Sequence, residues 1–141
     1  MHRTKAILCV CFCAGLLGAL FNSLAAWLSG SLGLPQLAGV DLTPQWSLAW
    51  LYPRLIWGGL WGLAYFITVA SPRARSSWIR KGLWASLLPT AWQLFYVFPN
   101  QTLHGALGLG LGTFTPLFVM GYNLIWGFFT GFFARLLWGR S

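Results

Sequence analysis

Acidic side chains are almost absent: Asp41 is the sole carboxylate among 141 residues. That scarcity removes most hydrolytic and group-transfer chemistry, which needs paired carboxylates or a carboxylate to orient a base. It also argues against a proton- or sodium-coupled carrier of the carboxylate type, because no Asp or Glu falls in an apolar stretch. Histidine is nearly as scarce. His104 stands alone in a connecting segment and His2 in the N-terminal tail, so neither an acid–base pair nor a two-histidine haem site can be assembled. The three cysteines crowd into one run, Cys9, Cys11 and Cys13. Cys9 and Cys13 share a helix face suited to a soft ion such as Cu(I). No thiol elsewhere would relay such an ion, and cysteine as a small buried hydrophobe is the plainer reading. The expectation is a non-enzyme with no metal and no cofactor.

Charge of either sign is also low, at 7% of residues against roughly a quarter in soluble domains, while 57% are hydrophobic. A water-soluble fold would have nowhere to put that much apolar surface. Four long apolar stretches remain: Ala6 to Leu28, Trp46 to Ala70, Trp78 to Phe98, and Pro116 to Trp138. Each approaches or exceeds the ~20 residues that cross ~30 Å of hydrocarbon. The expected fold class is all-α: residues 1–141 as a single domain of four transmembrane helices, a polytopic membrane protein whose first partner is the lipid bilayer.

Basic residues orient these segments. Arg3 and Lys5 precede the first, Arg73, Arg75, Arg80 and Lys81 lie between the second and third, and Arg135 and Arg140 close the fourth. The connections from Ser29 to Gln45 and from Pro99 to Thr115 have no Lys or Arg. By the positive-inside rule both termini are cytoplasmic and the uncharged connections face outward, in a bacterial inner membrane or its equivalent. The net charge of +8 is thus mostly a topology signal, and no basic face on an aqueous domain exists to bind nucleic acid. Ser23-Leu24-Ala25 ahead of Ala26 also fits a signal-peptide cleavage site, but the apolar run before it exceeds the ~7–15 residues of a signal core.

Thr43-Pro44 and Thr115-Pro116 read as N-caps followed by proline at the first helical position. Pro53 either kinks the second helix or begins its membrane-crossing part, and Pro89 falls in the middle of the third helix. Leu55-Ile56-Trp57-Gly58 with Gly62 recurs as Leu124-Ile125-Trp126-Gly127 with Gly131. The recurrence points to two helical hairpins related as a parallel internal repeat, or to coincidence in a biased composition. Glycines four apart form a groove for a close neighbour. Ala14, Gly18, Asn22 and Ala26, and likewise Gly15, Ala19 and Ser23, offer the complement, so the first, second and fourth helices are expected to pack through Gly18, Gly58, Gly62, Gly127 and Gly131, within one chain or in a homo-oligomer.

One strongly polar residue falls in each span, about six to eight residues from its outer end: Asn22, Arg54, Gln93 and Asn123. At 1.5 Å per residue they form a layer ~10 Å deep. Trp46, Trp50, Arg54, Trp57 and Trp61 share a helix face, where indoles can contribute cation–π attraction of ~0.5–2 kcal/mol each. Three readings of Arg54 compete. It reaches the headgroups or pairs with Asp41; or with Asn22, Gln93, Asn123, Trp50 and Trp57 it binds an anionic lipid or small carboxylate; or it contacts a membrane protein partner. Asn22 with Asn123 also reads as a packing pair worth ~0.6 kcal/mol. The segment HGALGLGLGTFTP, rich in glycine yet apolar, either rests outside or re-enters the membrane. The expected function is an accessory subunit or binding protein built on this outer polar layer. The alternative is a small channel or facilitator for an anion or neutral solute, which would need a polar path through the cytoplasmic half that only an oligomer lined by Thr68, Thr130 and glycine backbone would supply.

Overall fold

A computed structural model describes residues 2–40, 46–71, 73, 76–101 and 105–139, and every regular element among them is helical. Helix α1 spans His2–Leu32, the short α2 Leu34–Leu37, α3 Leu48–Val69, α4 Trp78–Ala85, α5 Leu87–Trp92, α6 Phe98–Gln101 and α7 Thr115–Trp138. A π-helical turn, Gln93–Val97, joins α5 to α6, and a 3₁₀ segment, Ala106–Leu111, precedes α7. Two helices are long and apolar enough to cross a membrane, Thr4–Leu32 with 29 residues and Thr115–Trp138 with 24.

Local chemistry explains the boundaries. Gly33 adopts the left-handed conformation (φ 81°) that ends α1, a backbone state a Cβ disfavours. Ser47 caps α3, its hydroxyl accepting from the Trp50 N–H at 3.1 Å. Pro53 lies inside α3 without ending it, so the second helix is continuous from Leu48 to Val69. The pair Thr43-Pro44 lies outside the described residues. Thr115 does not act as the cap expected of it: it is the first residue of α7, and its buried hydroxyl has no partner among the described residues.

The third apolar stretch departs most from expectation, since the continuous helix anticipated over 78–98 is broken. It turns at Ser86 because Pro89, three residues on, has no N–H to give the Ala85 carbonyl and its ring collides with that group. Further along, Pro99 removes another donor, and the backbone ahead of it widens so that the Phe98 N–H reaches the Gln93 carbonyl.

Helix α1 is the centre of the assembly, packed along α3 on one side and α7 on the other, while α4 packs on α7. Contacts are made by backbones brought close at glycine. A Cβ on Gly15 would overlap the Gly58 carbonyl, and one on Gly62 the Cys11 carbonyl, which fixes α1 against α3. The second glycine pair does not face α1. Gly127 and Gly131 of α7 meet Gly82 and Trp78 of α4, whereas Gly18 of α1 lies against Trp126 and Thr130 of α7. Phe21 stacks on Phe129 at 4.3 Å along the same α1–α7 seam.

The main core, at the end of the bundle carrying both termini, joins Ile7, Cys11, Ala14, Tyr65, Val69, Trp78, Ala85 and Ala134. The Tyr65 hydroxyl donates to the Trp78 carbonyl at 2.8 Å and ties α3 to α4 there. At the opposite end Leu94, Phe98 and Val119 form a smaller cluster, onto which Leu107 of the glycine-rich segment folds. Gly108 in that segment packs against Phe98 and Thr115, so the segment covers the end of α6 and α7. Leu107 holds a left-handed backbone (φ 59°), which costs ~1–3 kcal/mol in a non-glycine residue.

Candidate functional site

Arg54 points from α3 toward α1, where Asn22 and Ser23 stand side by side. Its Nε donates to Ser23 Oγ at 2.9 Å and its Nη2 donates to Asn22 Oδ1. The guanidinium carbon lies 4.8 Å from the centre of the Trp50 ring. Trp50 meets Trp46 edge-on at 5.9 Å, and Trp46 meets Trp27 at 5.7 Å. The aromatic stripe of α3 thus continues onto α1, with the cation at its inner end.

Asn22 relays the arrangement to α7. Its amide nitrogen donates to the Tyr122 carbonyl at 2.6 Å, and the Tyr122 hydroxyl shares a hydrogen bond with Ser29 at 2.6 Å. Since the Asn22 oxygen serves Arg54 and its nitrogen serves Tyr122, three helices are tied through one buried amide. Trp126, one turn along α7, donates its indole N–H to the Gly15 carbonyl at 3.1 Å and holds α7 at the depth this network requires.

Arg54, Asn22, Ser23 and Trp126 line a cavity of about 270 Å³. Ala19, Asn22, Ser23, Asn123 and Trp126, all buried, form its floor on α1 and α7. Pro53, Arg54, Trp57 and Trp61 of α3 form one wall; Pro89, Trp92, Gln93 and Val97 of the third stretch form the other. Trp61 and Trp92 meet edge-on at 6.5 Å and bridge the two walls one to two turns below Arg54, toward the termini.

The site has an excess of donors. Arg54 carries five N–H donors and no acceptor; two are engaged, by Ser23 and Asn22, which leaves three. Asn123 is 9% exposed and lines the cavity, while its amide nitrogen, without a hydrogen-bond partner among the described residues, is itself fully buried and out of reach of a cavity occupant in this arrangement. The acceptors nearest the cation, Asn22 Oδ1 and Ser23 Oγ, are already taken by Arg54 itself. What fits such a cavity is an oxygen-rich, electron-rich group.

Of the residues singled out from the sequence, Arg54, Asn22, Gln93, Asn123 and Trp57 all line this cavity, and Trp50 stands behind the cation. Asp41, the acid expected as one partner of Arg54, lies outside the described residues, as does His104. Asn22 and Asn123 do not pair with each other: Asn22 bonds the backbone next to Asn123. Sequence reasoning missed Ser23, Tyr122, Trp92 and Trp126. Ser23 directly follows Asn22, and Trp126 heads the repeated Trp-Gly, so both signals were present. Trp92 gave no signal beyond its place beside Gln93.

Cys9 and Cys13 are exposed and Cys11 is buried against Tyr65 and Val69, and no cluster of three metal-ligating side chains occurs among the described residues. Compared with protein families, curated proteins and solved structures, the chain matches none.

Proposed function

We propose that this chain is a non-enzymatic integral membrane protein of four spans that binds an anionic group at Arg54. The observation that carries this reading is the donor excess. Three guanidinium N–H groups of Arg54, without partners among the described residues, belong to a side chain that lines the cavity. An anion accepting from them would neutralise a cation whose described neighbours carry no charge. The inward bonds of Arg54 to α1 argue against a guanidinium stretched to the headgroups.

Four spans follow from length and charge. Besides α1 and α7, α3 has 22 residues, or ~33 Å at 1.5 Å each, and its lower hydropathy comes from Arg54 together with proline, tryptophan, tyrosine and glycine, of which all but the arginine are common in membrane helices. The run from α4 to α6 covers a similar length despite its breaks, which packing against α7 makes tolerable. Lys5, Arg73, Arg80, Lys81 and Arg135 belong to the end carrying the termini, which supports a cytoplasmic assignment for that end and an outer-leaflet position for Arg54. The matching glycine contacts, Gly15 with Gly58 and Gly62, Gly82 with Gly127 and Gly131, support two hairpins of common origin. A channel is less well supported, because below Arg54 the Trp61–Trp92 pair and the aromatic and aliphatic core close the way.

The test is thermal unfolding of the purified protein in a neutral detergent, with and without added anions. A ligand at about a hundredfold its Kd stabilises the folded state by ~2.7 kcal/mol, which raises Tm. Phosphate or an anionic amphiphile should raise Tm in the wild type and leave Arg54→Gln unmoved. Equal shifts in both proteins, or none in either, would overturn the reading.

A further inference from the structure

We infer that the anion held at Arg54 is the headgroup of an amphiphile whose acyl chain leaves the site sideways, through the cleft between α3 and α5. The inference rests on the anion reading above and adds the class of ligand and its route.

The first support is the direction in which the cavity opens. Its floor residues on α1 and α7 are buried, whereas Trp57 is 51% exposed and Trp92 39% exposed on the two walls. Side chains that line a cavity and also reach the surface mark its mouth, so the mouth lies on the flank of the bundle, between α3 and α5. In a four-span protein that flank faces acyl chains.

A second support is a missing contact. The two hairpins, α1 with α3 and α4 with α7, are matched at their glycines. A twofold arrangement of such hairpins makes two equivalent seams between them. One exists in full, the α1–α7 seam with Gly18, Phe21, Asn22 and Trp126. Among the described residues, its counterpart between α3 and the third stretch is made near the termini, by Tyr65 with Trp78 and Lys81 with the Thr68 carbonyl, and by the Trp61–Trp92 edge. Beyond that edge, beside Arg54, no hydrogen bond or ring contact joins the two among the described residues. The breaks that hold this seam open are the turn at Ser86 and the π-turn at Gln93–Val97, and such turns recur at functional sites.

The third support is the pattern of chemistry across the cavity. Arg54 supplies the donors from the α3 wall, and the mouth is proline and indole, Pro53, Trp57 and Trp92. A small hydrated anion has no use for an apolar mouth. A ligand with an anionic head and an apolar tail satisfies both, with the tail lying over the Trp92–Tyr96 stack, whose rings are 4.4 Å apart.

The experiment uses the full chain in nanodiscs of phosphatidylcholine doped with phosphatidylglycerol that carries a photoactivatable diazirine on one acyl chain. Labelled peptides are mapped by mass spectrometry, and the same probe on phosphatidylcholine gives the background from surrounding lipid. We expect label concentrated on residues 53–61 and 88–97, about tenfold above that background. It should fall to background in Arg54→Gln and fall in Trp92→Ala. Uniform labelling, with a Tm rise on phosphate that Arg54→Gln lacks, would overturn the amphiphile and leave a water-borne anion at Arg54. Uniform labelling with no anion-dependent Tm rise would overturn both. Should Arg54→Gln fail to fold, Trp92→Ala decides, since it removes part of the mouth and keeps the donors: unchanged labelling in it would overturn the route.

Discussion

Arg54 is positioned by two neighbours on α1 that differ in what they share. Ser23 only accepts from the cation, whereas Asn22 both accepts from Arg54 and donates to the Tyr122 carbonyl. Losing Asn22 therefore strips the cation of one partner and cuts the side-chain bond that ties α1 to the Tyr122 carbonyl of α7. Asn22→Ala is expected to destabilise the protein by ~1–3 kcal/mol, and Ser23→Ala by ~0.5–1.5 kcal/mol. Comparing the two by thermal unfolding in detergent checks the order, and a Ser23→Ala loss equal to or above that of Asn22→Ala would contradict the relay. Both variants should also weaken anion binding, because a guanidinium held by fewer partners samples more orientations and is less preorganised.

Among the elements, the glycine pairs set which helices can touch. Gly82 and Gly127 approach so closely that a Cβ on either would overlap the other's carbonyl. Gly82→Val and Gly58→Val are each expected to separate their helix pair, with an overpacking cost of ~1–3 kcal/mol or more, read as a lowered Tm. Gly121, which has open space around it, provides the control, and Gly121→Ala should be close to neutral. This is where reading from sequence succeeds and where it stops. The apolar lengths of α1, α3 and α7 and the close approach at Gly58 and Gly62 were legible, because both depend on spacing along one helix. Assigning Gly127 and Gly131 to α4, and Gly18 to α7, needed to know which face of each helix turns to which neighbour, and spacing is silent on that. The break of the third stretch had its cause in view at Pro89, yet whether proline kinks a helix or divides it depends on what packs beside the freed carbonyl. The four polar residues at one depth were legible as a layer. That they open onto a cleft between α3 and α5 was not, since the opening is the absence of a seam between elements far apart in sequence.

For the whole molecule, topology and site depend on each other. If the end carrying Lys5, Arg80, Lys81 and Arg135 is cytoplasmic, the mouth beside Arg54 faces the outer half of the bilayer. Ser76 and Thr113 are both exposed and lie at opposite ends of the bundle, so single cysteines there report the orientation. In a chain with the three native cysteines replaced, a membrane-impermeant thiol reagent added to intact cells should label Thr113→Cys and spare Ser76→Cys. Labelling of both from outside, or of Ser76→Cys alone, would overturn the orientation and with it the outer-leaflet placement of the cavity.

At this scale the most direct measurement is native mass spectrometry of the protein released from a mild detergent, comparing lipids retained by the wild type and by Arg54→Gln, with circular dichroism to establish that both are folded. Arg54 acting as an anion site predicts that the wild type retains a specific anionic lipid and that the variant loses it. Identical lipid profiles from two equally folded proteins would contradict the site, and would leave Arg54 as a cation held by Asn22 and Ser23 for the packing of α3 on α1 alone.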